Sequence, residues 1–500
     1  MNTADAEPLF RSALARLKAG DPTGGLAELD RLLAARPQHV GALVSRGSAL
    51  AAVGRADEAE GSFRAALDLQ PGQPTALWNL GLLLIEREAF EAALALAQAA
   101  LDANPANTTA RLLLGDALTG LGRFEAACDA YRAVPPDDPE ARPARSKLGQ
   151  ALAAIGDPAA ALPLLDAAVA ADPQDAFARY RRGIVRLSLG DFAGWPDYEH
   201  RWKTKPFLAR SAGVVAPALA PRLALAPTKA DLAGQRVLLL GEQGIGDQIM
   251  FASMVPDLLE VARSVTCVAE PRLERLFAGS FATGLFTGPA QARVRQGDVD
   301  RIVALGSLGC AFRPDRASFP GRPYLRPSAE AQGRWAARLG PRTTRLRIGL
   351  SWRGGVATTG RTRRSLDLHQ LRPLLALEDC EVVSLQYGEV AEELAQANAG
   401  LARPIRSFAA DELGDMDDLA ALAAQLDAVV SVQTALAHLC GAIGQTCLVL
   451  LPSTPEWRYG AEGSEMPWYG SVRLYRQTER GEWGPVVEEV VHAVRHGSTA

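Results

Sequence analysis

A glycine-rich turn with an acid at its far end follows one apolar run of the sequence, in the segment 241–247, GEQGIGD. The run before it has the length of a buried strand, and Asp247 stands at the start of a second apolar segment. Two interpretations are open. The segment is either an ordinary turn between a strand and a helix, or the floor of a site where a phosphate-bearing donor meets its acceptor.

Glycines, cations, hydroxyl groups and a histidine follow other apolar runs in the same way. The segments are Arg353-Gly354-Gly355 with RTRRS (361–365), Tyr387-Gly388, QTALAH (433–438) and PSTPEWRYG (452–460). In open sheets of parallel strands, ligands bind beyond the carboxyl ends of the strands. The concentration of these residues at such ends therefore predicts a ligand site along one rim.

The residue types at this rim suit a phosphate group. Thr434 stands at a predicted helix start, where exposed N–H groups and the helix dipole bind anions, although a plain N-cap is an alternative. Arg353 and Arg364 are suited to neutralise leaving phosphates, Arg364 through a bidentate contact. Arg361 and Arg363 are expected at the solvated surface.

Strands alternating with helices must position this rim. The candidate strands are RVLLL (236–240), VTCVAE (265–270), RIVALG (301–306), RIGLSW (347–352), EVVSLQ (381–386), DAVVSV (427–432) and TCLVLL (446–451). Continuous apolar runs favour strands that are covered on both faces. The alternation implies parallel sheets, and the length suggests two, bridged by GRPYLRPS (321–328) and closed by a terminal helix in the last residues.

The first two fifths of the chain carry a 34-residue period. Four sets of residues keep this spacing: Gly47, Gly81, Gly115, Gly149 and Gly183; Pro37, Pro71, Pro105, Pro139 and Pro173; Gly20, Gly54, Gly122, Gly156 and Gly190, with Glu88 as the interruption; and Ala59, Ala93, Ala127 and Ala161. The first glycines allow close helix packing, the second allow a turn, and the prolines end a helix.

This pattern resembles the tetratricopeptide repeat, with 77–105 as its best copy, over residues 6–207: five repeats and a degenerate sixth. The resemblance implies an α solenoid whose groove binds a protein or peptide. A scaffold or dimerisation arm is the alternative. The asparagine ladder of related peptide-binding repeats is absent here, since that position reads Ser45, Asn79, Leu113, Lys147 and Arg181.

The sixth repeat ends in GDFAGWPDYEHRWKTKPF (190–207), whose aromatic residues are expected to cap the open apolar end of the solenoid. A proline- and alanine-rich passage follows and is interpreted as a linker over 208–234.

The second part of the chain resembles bacterial heptosyltransferase-like glycosyltransferases of family 9 type, in the branch fused to tetratricopeptide repeats. The segments that carry the resemblance are YEHRW (198–202), GEQGIGDQIMF (241–251), GLSWRG (349–354), RRS (363–365), SLQYG (384–388), TALAHLCGAIG (434–444), LLP with EWRYG (450–460) and PWYGSVRLYRQ (467–477). The resemblance implies two Rossmann-like domains in the GT-B arrangement, an acceptor half over 235–325 and a nucleotide-sugar half over 326–496.

The resemblance also implies an inverting, metal-independent transfer from a nucleotide sugar, with no cofactor, to an acceptor presented by the repeats, flagellin being one such protein. Asp247 takes the position of the general base; the alternative is a carboxylate favoured by a helix dipole, by about 0.3–1 kcal/mol. The residues expected to contact donor or substrate are Gln243, Gly244, Gly246, Trp352, Arg353, Arg364, Gln386, Gln433, Thr434, Ala435, His438 and Arg458. For His438, a structural role is the alternative, and for the two glycines simple turn formation.

One residue departs from the pattern of these transferases, because Gln433 stands where they usually have aspartate. An amide cannot act as a base or attract a cation, although it can hydrogen-bond a sugar hydroxyl. A second class of function therefore stays open: a non-catalytic protein-interaction scaffold with a degenerate transferase domain.

The remaining features exclude other classes. The 53 Lys and Arg residues against 57 Asp and Glu leave no basic footprint for nucleic acid. Six scattered cysteines give neither a disulfide framework nor a zinc site, and no apolar run has the length of a membrane span, so a cytoplasmic protein is expected. GIGDQI (244–249) lacks the third glycine of a dinucleotide fingerprint, which disfavours a nicotinamide dehydrogenase. Asp298-Val299-Asp300 precedes a strand, so it is expected to face away from the rim, and no metal is expected.

Overall fold

The computed structural model describes residues 3–204, 222–281, 284–288, 298–354 and 364–496, except for some side chains. Within these ranges the chain forms two compact units, Met1–Asp172 and Pro173–Ala500. The predicted solenoid of 6–207 therefore extends past the division that the structure makes. Phe207, Gly355, Arg361, Arg363 and the linker residues 208–221 lie outside the described residues.

The first unit consists of antiparallel helix pairs. Its helices are α1 (Thr3–Lys18), α2 (Pro22–Ala35), α3 (Val40–Ala52), α4 (Ala56–Leu69), α5 (Pro74–Glu86), α6 (Phe90–Ala103), α7 (Thr108–Gly120), α8 (Phe124–Arg132), α9 (Ala141–Ala154) and α10 (Pro158–Ala171). Two of the repeated glycines allow the close packing that their spacing predicted. A Cβ atom at Gly81 would lie 2.4 Å from Leu113, and one at Gly115 would lie 2.3 Å from Tyr131.

The second set of repeated glycines forms the turns between helices. Each of these glycines has a positive φ, between 70° at Gly122 and 86° at Gly156. Glu88, which interrupts the set, has φ 57° and adopts the same left-handed conformation. The turn prediction is confirmed by geometry, and Glu88 bears a conformational cost that its glycine counterparts avoid.

The second unit begins with one more helix of the repeat pattern and continues as α/β structure. Its helices are α11 (Ala176–Ser188), α12 (Trp195–Tyr198), α13 (Lys229–Leu232), α14 (Ile245–Phe251), α15 (Val255–Val261), α16 (Glu274–Ser280), α17 (Leu308–Phe312), α18 (Ala329–Leu339), α19 (Arg372–Leu375), α20 (Ala391–Asn398), α21 (Met416–Ala423), α22 (Ala435–Ile443) and α23 (Gly484–His496). Its strands are β1 (Arg236–Leu240), β2 (Ser264–Val268), β3 (Leu285–Thr287), β4 (Arg301–Ala304), β5 (Leu346–Ser351), β6 (Cys380–Ser384), β7 (Ala428–Val432), β8 (Cys447–Leu451), β9 (Glu465–Met466) and β10 (Tyr469–Arg476).

The strands form two sheets, in the orders β3-β2-β1-β4 and β6-β5-β7-β8-β10-β9. All pairings are parallel except that between β9 and β10. The strand order reverses between β1 and β4 in the first sheet and between β5 and β7 in the second. Ligands of open α/β sheets bind at such reversals, beyond the carboxyl ends. GEQGIGD follows β1, and Gln433-Thr434 follow β7, so both segments stand at these points.

Each of the seven predicted strands is present within two residues of its predicted ends, whereas β3, β9 and β10 were not predicted. The strand β10 alternates buried and partly exposed residues, since it lies next to the edge, and so lacks a continuous apolar run. The terminal helix is confirmed as α23.

The aromatic residues after α11 were expected to cap the solenoid, but two of them belong to the core of the second unit. Trp195 and Tyr198 are 2% and 1% exposed, and the Trp195 ring packs against Phe251 and Trp457. A Cβ atom at Gly309 would lie 2.6 Å from Trp195. The segment that reads as the end of the repeats is thus folded into the α/β unit.

Part of the predicted linker is also structured. Leu223 pairs with Ile302 of β4, extending the first sheet, and residues 229–232 form α13. The side chains of Thr228 and Asp231 form a capping box at the start of this helix.

Candidate functional site

Asp247 lies in the first turn of α14, and this helix packs against α22 from the second sheet. A Cβ atom at Gly246 would lie 3.3 Å from Cα of Ala435 and 3.2 Å from the His438 ring. Gly246 therefore allows the close approach of two helices. This role differs from both interpretations of the sequence, which were close approach of a ligand and turn formation. The packing brings Asp247 beside the amino end of α22, where Thr434 stands.

A chain of four alternating charges runs from Asp247 into the second sheet. Arg458 donates through Nε to Asp247 and lies 3.3 Å through Nη1 from Glu456. Glu456 in turn forms an ion pair of 2.8 Å with Arg364. The sequence proposed both arginines as donor contacts, and the structure joins them through a carboxylate that the site prediction left out.

The ion pair between Arg458 and Asp247 is largely shielded from water, since their side chains are 16% and 12% exposed. Burial by itself would lower the pKa of the Arg458 guanidinium, but the carboxylates of Asp247 and Glu456 raise that pKa above its ordinary value. Arg458 is therefore a fixed cation. It stands where a carboxylate base and a phosphate group would both benefit from positive charge.

Thr434 caps α22, because its Oγ1 accepts a hydrogen bond from Leu436 N at 3.2 Å. This is the N-cap that the sequence offered as one interpretation, and Ala437 N also bonds within the first turn, to Thr434 O at 3.2 Å. Gly354 packs closely against Thr434, since a Cβ atom at Gly354 would lie 3.0 Å from the Thr434 methyl group. The residues after β5 and β7 are thus packed together at the strand-order reversal.

His438 is buried and hydrogen-bonded on both sides of its ring. Its Nδ1 lies 3.2 Å from the Tyr469 hydroxyl and its Nε2 lies 3.4 Å from the Tyr459 hydroxyl, so both ring nitrogens have partners. Burial and the nearby Arg458 lower the pKa of His438 to about 3, which leaves the ring neutral. Of the two interpretations of this histidine, the geometry favours the structural one over a donor contact.

Three further predicted contact residues form hydrogen bonds or ion pairs with other groups of the protein. Gln386 accepts hydrogen bonds at Oε1 from the backbone N–H groups of Trp352 and Arg353, at 3.0 and 2.9 Å. Trp352 is 1% exposed and donates through Nε1 to Glu393 at 2.8 Å, and Arg353 forms a 2.8 Å ion pair with the same carboxylate. These contacts join the loop after β5 to the segment after β6 and hold the two at the carboxyl ends of their strands.

Gln433 is 4% exposed, and its Oε1 accepts a hydrogen bond from Glu456 N at 3.1 Å. The glutamine that departs from the expected aspartate therefore holds the backbone of the residue that bridges Arg458 and Arg364. An amide oxygen suffices for that contact.

Gln243 has φ 69°, an unusual conformation for a residue with a Cβ atom, and its side-chain amide donates to the Tyr198 hydroxyl. Gly244 is exposed at the start of α14, and a Cβ atom there would lie 3.6 Å from Oδ2 of Asp247. Gly244 leaves open the approach to the carboxylate oxygen that Arg458 does not contact.

The acidic pair before β4 lies away from this site, as predicted. Asp300 accepts hydrogen bonds from the backbone and side chain of Arg236 at the start of β1. This pair lies at the amino-terminal ends of the strands, whereas Asp247 follows a carboxyl end. Among the residues that the structure describes, no group of three or more His, Cys, Asp or Glu side chains is placed to hold a metal ion. Likewise, none of the described helices has the length and apolar character needed to cross a membrane.

Comparison with protein families identifies the repeats. A tetratricopeptide-repeat model matches residues 10–74 and 146–194, and a second such model matches 84–152. The chain therefore contains tetratricopeptide repeats, a fold that forms surfaces for protein partners. Their spacing in the sequence had predicted them.

Among known proteins, FlbA of Caulobacter vibrioides is 31% identical over 324 residues, which cover 60% of this chain and 52% of FlbA. The chain thus spans about half the length of this curated relative. Solved structures similar to the chain include a tetratricopeptide repeat protein from Parabacteroides merdae (20% identity, 40% of this chain and 79% of that one, TM-score 0.34). Another is the type IV pilus biogenesis factor PilW (20% identity, 41% and 96%, TM-score 0.35).

Proposed function

We propose that the α/β unit transfers a sugar from a nucleotide-sugar donor to an acceptor hydroxyl, with inversion and without a metal. The observation that carries the proposal is the meeting of two strand-order reversals: Asp247 follows β1, and it lies against the amino end of α22, which follows β7. A carboxylate from one sheet thereby faces an anion-binding helix terminus from the other.

In this reaction Asp247 accepts the proton of the acceptor hydroxyl as the oxygen attacks the anomeric carbon. The bond between that carbon and the phosphate oxygen breaks on the opposite face, which inverts the configuration. Arg458 holds the Asp247 carboxylate through a hydrogen bond to Oδ1, and Gly244 leaves room for the acceptor beside the carboxylate.

The leaving nucleotide phosphate gains negative charge as the bond breaks. The positive end of the α22 dipole together with Arg458 and Arg364 would stabilise that charge. Glu456 holds both arginines in the absence of a donor. A donor phosphate has to compete with this carboxylate, so donor binding and a shift of Glu456 are linked.

The acceptor in this proposal is a protein that the tetratricopeptide repeats bind, and a flagellin-type surface protein is one candidate. The repeats support a protein acceptor, because they belong to a fold used for protein recognition. The similarity to FlbA covers more of the chain than the first unit contains. The similarity therefore includes part of the α/β unit as well.

A second candidate function is a protein-interaction scaffold without catalysis. Gln433 favours it, since its amide is buried in a contact with the protein backbone. The ion pair that occupies Asp247 is also compatible with a purely structural carboxylate.

Titration of the full chain with a panel of nucleoside mono- and diphosphate sugars separates the two. We expect one donor to bind and to be slowly hydrolysed. We also expect Asp247→Asn to retain binding but to lose turnover. Asp300→Asn is the matched control, because Asp300 pairs with an arginine at the opposite end of the strands of the same sheet. If no donor binds or is hydrolysed, the scaffold function is favoured over the transferase. If Asp247→Asn turns over a donor as fast as the natural chain, Asp247 is not the base of the reaction.

A further inference from the structure

The segment Tyr198–Trp202, YEHRW, lies beneath the loop that carries Asp247. Arg201 is fully buried and donates through Nη2 to Glu242 at 3.0 Å, at the end of β1. It also donates to Glu199, and its guanidinium stacks 4.3 Å above the centre of the Tyr198 ring. A residue that follows the last repeat helix thus supplies the cation at the start of the glycine-rich loop.

The crevice between β1 and β4 is filled by this cluster. Glu242 accepts a hydrogen bond from Gly306 N at 3.1 Å, and Ser307 donates to Glu199 at 2.7 Å. Gly306 has to lack a side chain, since a Cβ atom there would lie 2.6 Å from Oε1 of Glu242. In many α/β proteins a ligand occupies this strand-order reversal. Here a buried arginine and two glutamates lie at the base of this reversal, where Arg201 and Glu242 contact the start of the glycine-rich loop.

The next residue of the loop is held by the same segment. Gln243 donates from its side chain to the Tyr198 hydroxyl, and its backbone has the left-handed φ of 69°. Such a conformation is unfavourable for a residue with a Cβ atom and persists where surrounding contacts impose it. The Tyr198 contact is one that imposes it, four residues before Asp247.

The YEHRW segment is itself anchored to α11. Asp197 is 3% exposed and forms ion pairs of 2.9 Å with Arg179 and 2.6 Å with Arg182, both on that helix. Gly183 permits the contact, because a Cβ atom there would lie 2.5 Å from Tyr198 N. Polar contacts on either side of the Asp197-Tyr198 pair therefore link the last helix of the repeat pattern to the Asp247 loop.

We propose that Tyr198 and Arg201 are positioning residues that hold the loop Glu242–Asp247 in the conformation that presents the Asp247 carboxylate. The effect on catalysis rests on the proposed transferase function, whereas the effect on the loop does not. The segment acts through Gln243 and Glu242, so it has no direct contact with donor or acceptor in this proposal.

Tyr198→Phe is the sharpest test, since it removes one hydroxyl and keeps the ring beneath Arg201. Arg201→Met would leave two buried glutamates without their cation and risks unfolding. Tyr131→Phe is the matched control: it removes a buried tyrosine hydroxyl that donates to Asp116 at 2.8 Å in the first unit.

Hydrogen exchange followed by mass spectrometry reports on the loop in the full chain. We expect the amides of 241–248 to exchange about fivefold faster in Tyr198→Phe, the effect of losing one net hydrogen bond. The amides of the loop after β6 should exchange in Tyr198→Phe as in the natural chain. The amides of 241–248 should exchange in the Tyr131→Phe control as in the natural chain. An unchanged rate in 241–248 would overturn the proposal, whether or not the protein is an enzyme.

Turnover gives the second readout. We expect kcat for the donor that binds to fall about tenfold in Tyr198→Phe while the donor Kd stays within about twofold, the pattern of a misplaced base. In an Asp247→Asn background Tyr198→Phe should cause no further loss. A faster-exchanging loop with unchanged kcat would overturn the role in catalysis. A natural chain that exchanges as expected but shows no turnover contradicts the proposed function and leaves the holding of the loop supported.

Discussion

Nε of Arg458 donates to Oδ1 of Asp247, across 211 residues of sequence, and so joins the loop after β8 to the first turn of α14. This contact connects the reversal of strand order in the first sheet to the loop after β8, the strand next to β7 in the second sheet. Arg458 is paired with Glu456 as well, so one guanidinium links the candidate base to the residue that holds the second arginine, Arg364.

Arg458→Lys should lower turnover by about 100-fold, because a lysine ammonium cannot contact Asp247 and Glu456 with the fixed fork of a guanidinium. Donor turnover and donor Kd are measured together. Arg236→Lys, which alters an arginine–aspartate pair at the opposite end of the strands of the first sheet, should change neither. Full activity in Arg458→Lys would show that the contact with Asp247 is not used in the reaction.

Glu456→Gln should bind the donor more tightly, by about threefold to tenfold. The carboxylate of Glu456 pairs with Arg364 and Arg458, so its removal leaves both cations for the phosphate group. Calorimetric titration at two salt concentrations measures the change, which should shrink at high salt. Glu393→Gln, which loses an ion pair with Arg353 instead, is the control. Weaker binding in Glu456→Gln would mean that this carboxylate belongs to the donor site.

His438 should make the protein less stable as the pH falls below about 6.5. The unfolded chain takes up a proton on this histidine near its ordinary pKa of 6.5, whereas burial lowers the pKa in the folded protein to about 3. Unfolding therefore binds a proton in this window, and the free energy of unfolding falls by roughly 1.5 kcal/mol between pH 6.5 and 5.

Denaturant unfolding at several pH values tests this linkage. His438→Gln should flatten the pH dependence over that range, whatever its effect at neutral pH. His369→Gln, at a side chain that is 74% exposed, should leave the slope as it is. An unchanged slope in His438→Gln would assign the dependence to other groups.

Glu88→Gly should stabilise the first unit by about 0.5–1 kcal/mol. The left-handed conformation costs a residue with a Cβ atom about 1–2 kcal/mol, and the greater chain entropy of unfolded glycine offsets part of the gain. Glu88 has φ 57° and is exposed, so few contacts are lost. Thermal unfolding measures the effect. Glu88→Gln, which removes the charge but keeps the Cβ atom, should give no such increase, and equal gains from both would point to charge.

Much of the architecture is readable from the sequence, because it rests on local rules. The glycines of the 34-residue period mark close packing and left-handed turns, and continuous apolar runs mark buried parallel strands. A further regular feature is a set of helix caps: His39, Gln73, Asn107 and Asp175 lie on the 34-residue register, interrupted at Ala141, and each caps the helix that follows it. Their varied residue types hide a common acceptor role.

The site is harder to read, because its contacts join distant parts of the chain. His438 is one turn from Thr434 in sequence, yet its ring is enclosed by two tyrosines, which no helical spacing reveals. Glu456 lay in a segment that the sequence singled out, but only the fold shows that it bridges two arginines. The sequence predicts a rim and its residue types. Only the fold shows which of these side chains bond to other groups of the protein.

The division of the chain gives the last prediction. The 34-residue period assigns α11 and the residues to 207 to the repeats, whereas Arg201 pairs with Glu242 inside the second unit. A fragment of residues 173–500 should therefore unfold cooperatively, and a fragment of 208–500 should be insoluble or unfold at a much lower temperature. Removing the partner of a buried carboxylate costs about 3–5 kcal/mol, and burial already raises the pKa of Glu242.

Circular dichroism and thermal unfolding of the two fragments measure the difference. Glu242→Met within 208–500 should recover part of the stability, because it removes the carboxylate that lacks a cation in that fragment. The same substitution in 173–500 should be destabilising, since it leaves Arg201 and Glu199 with one partner fewer. If 208–500 unfolds at the same temperature as 173–500, the buried cluster does not stabilise the α/β unit. The boundary at residue 207, which the repeat period predicts, would then be the boundary of the folding unit.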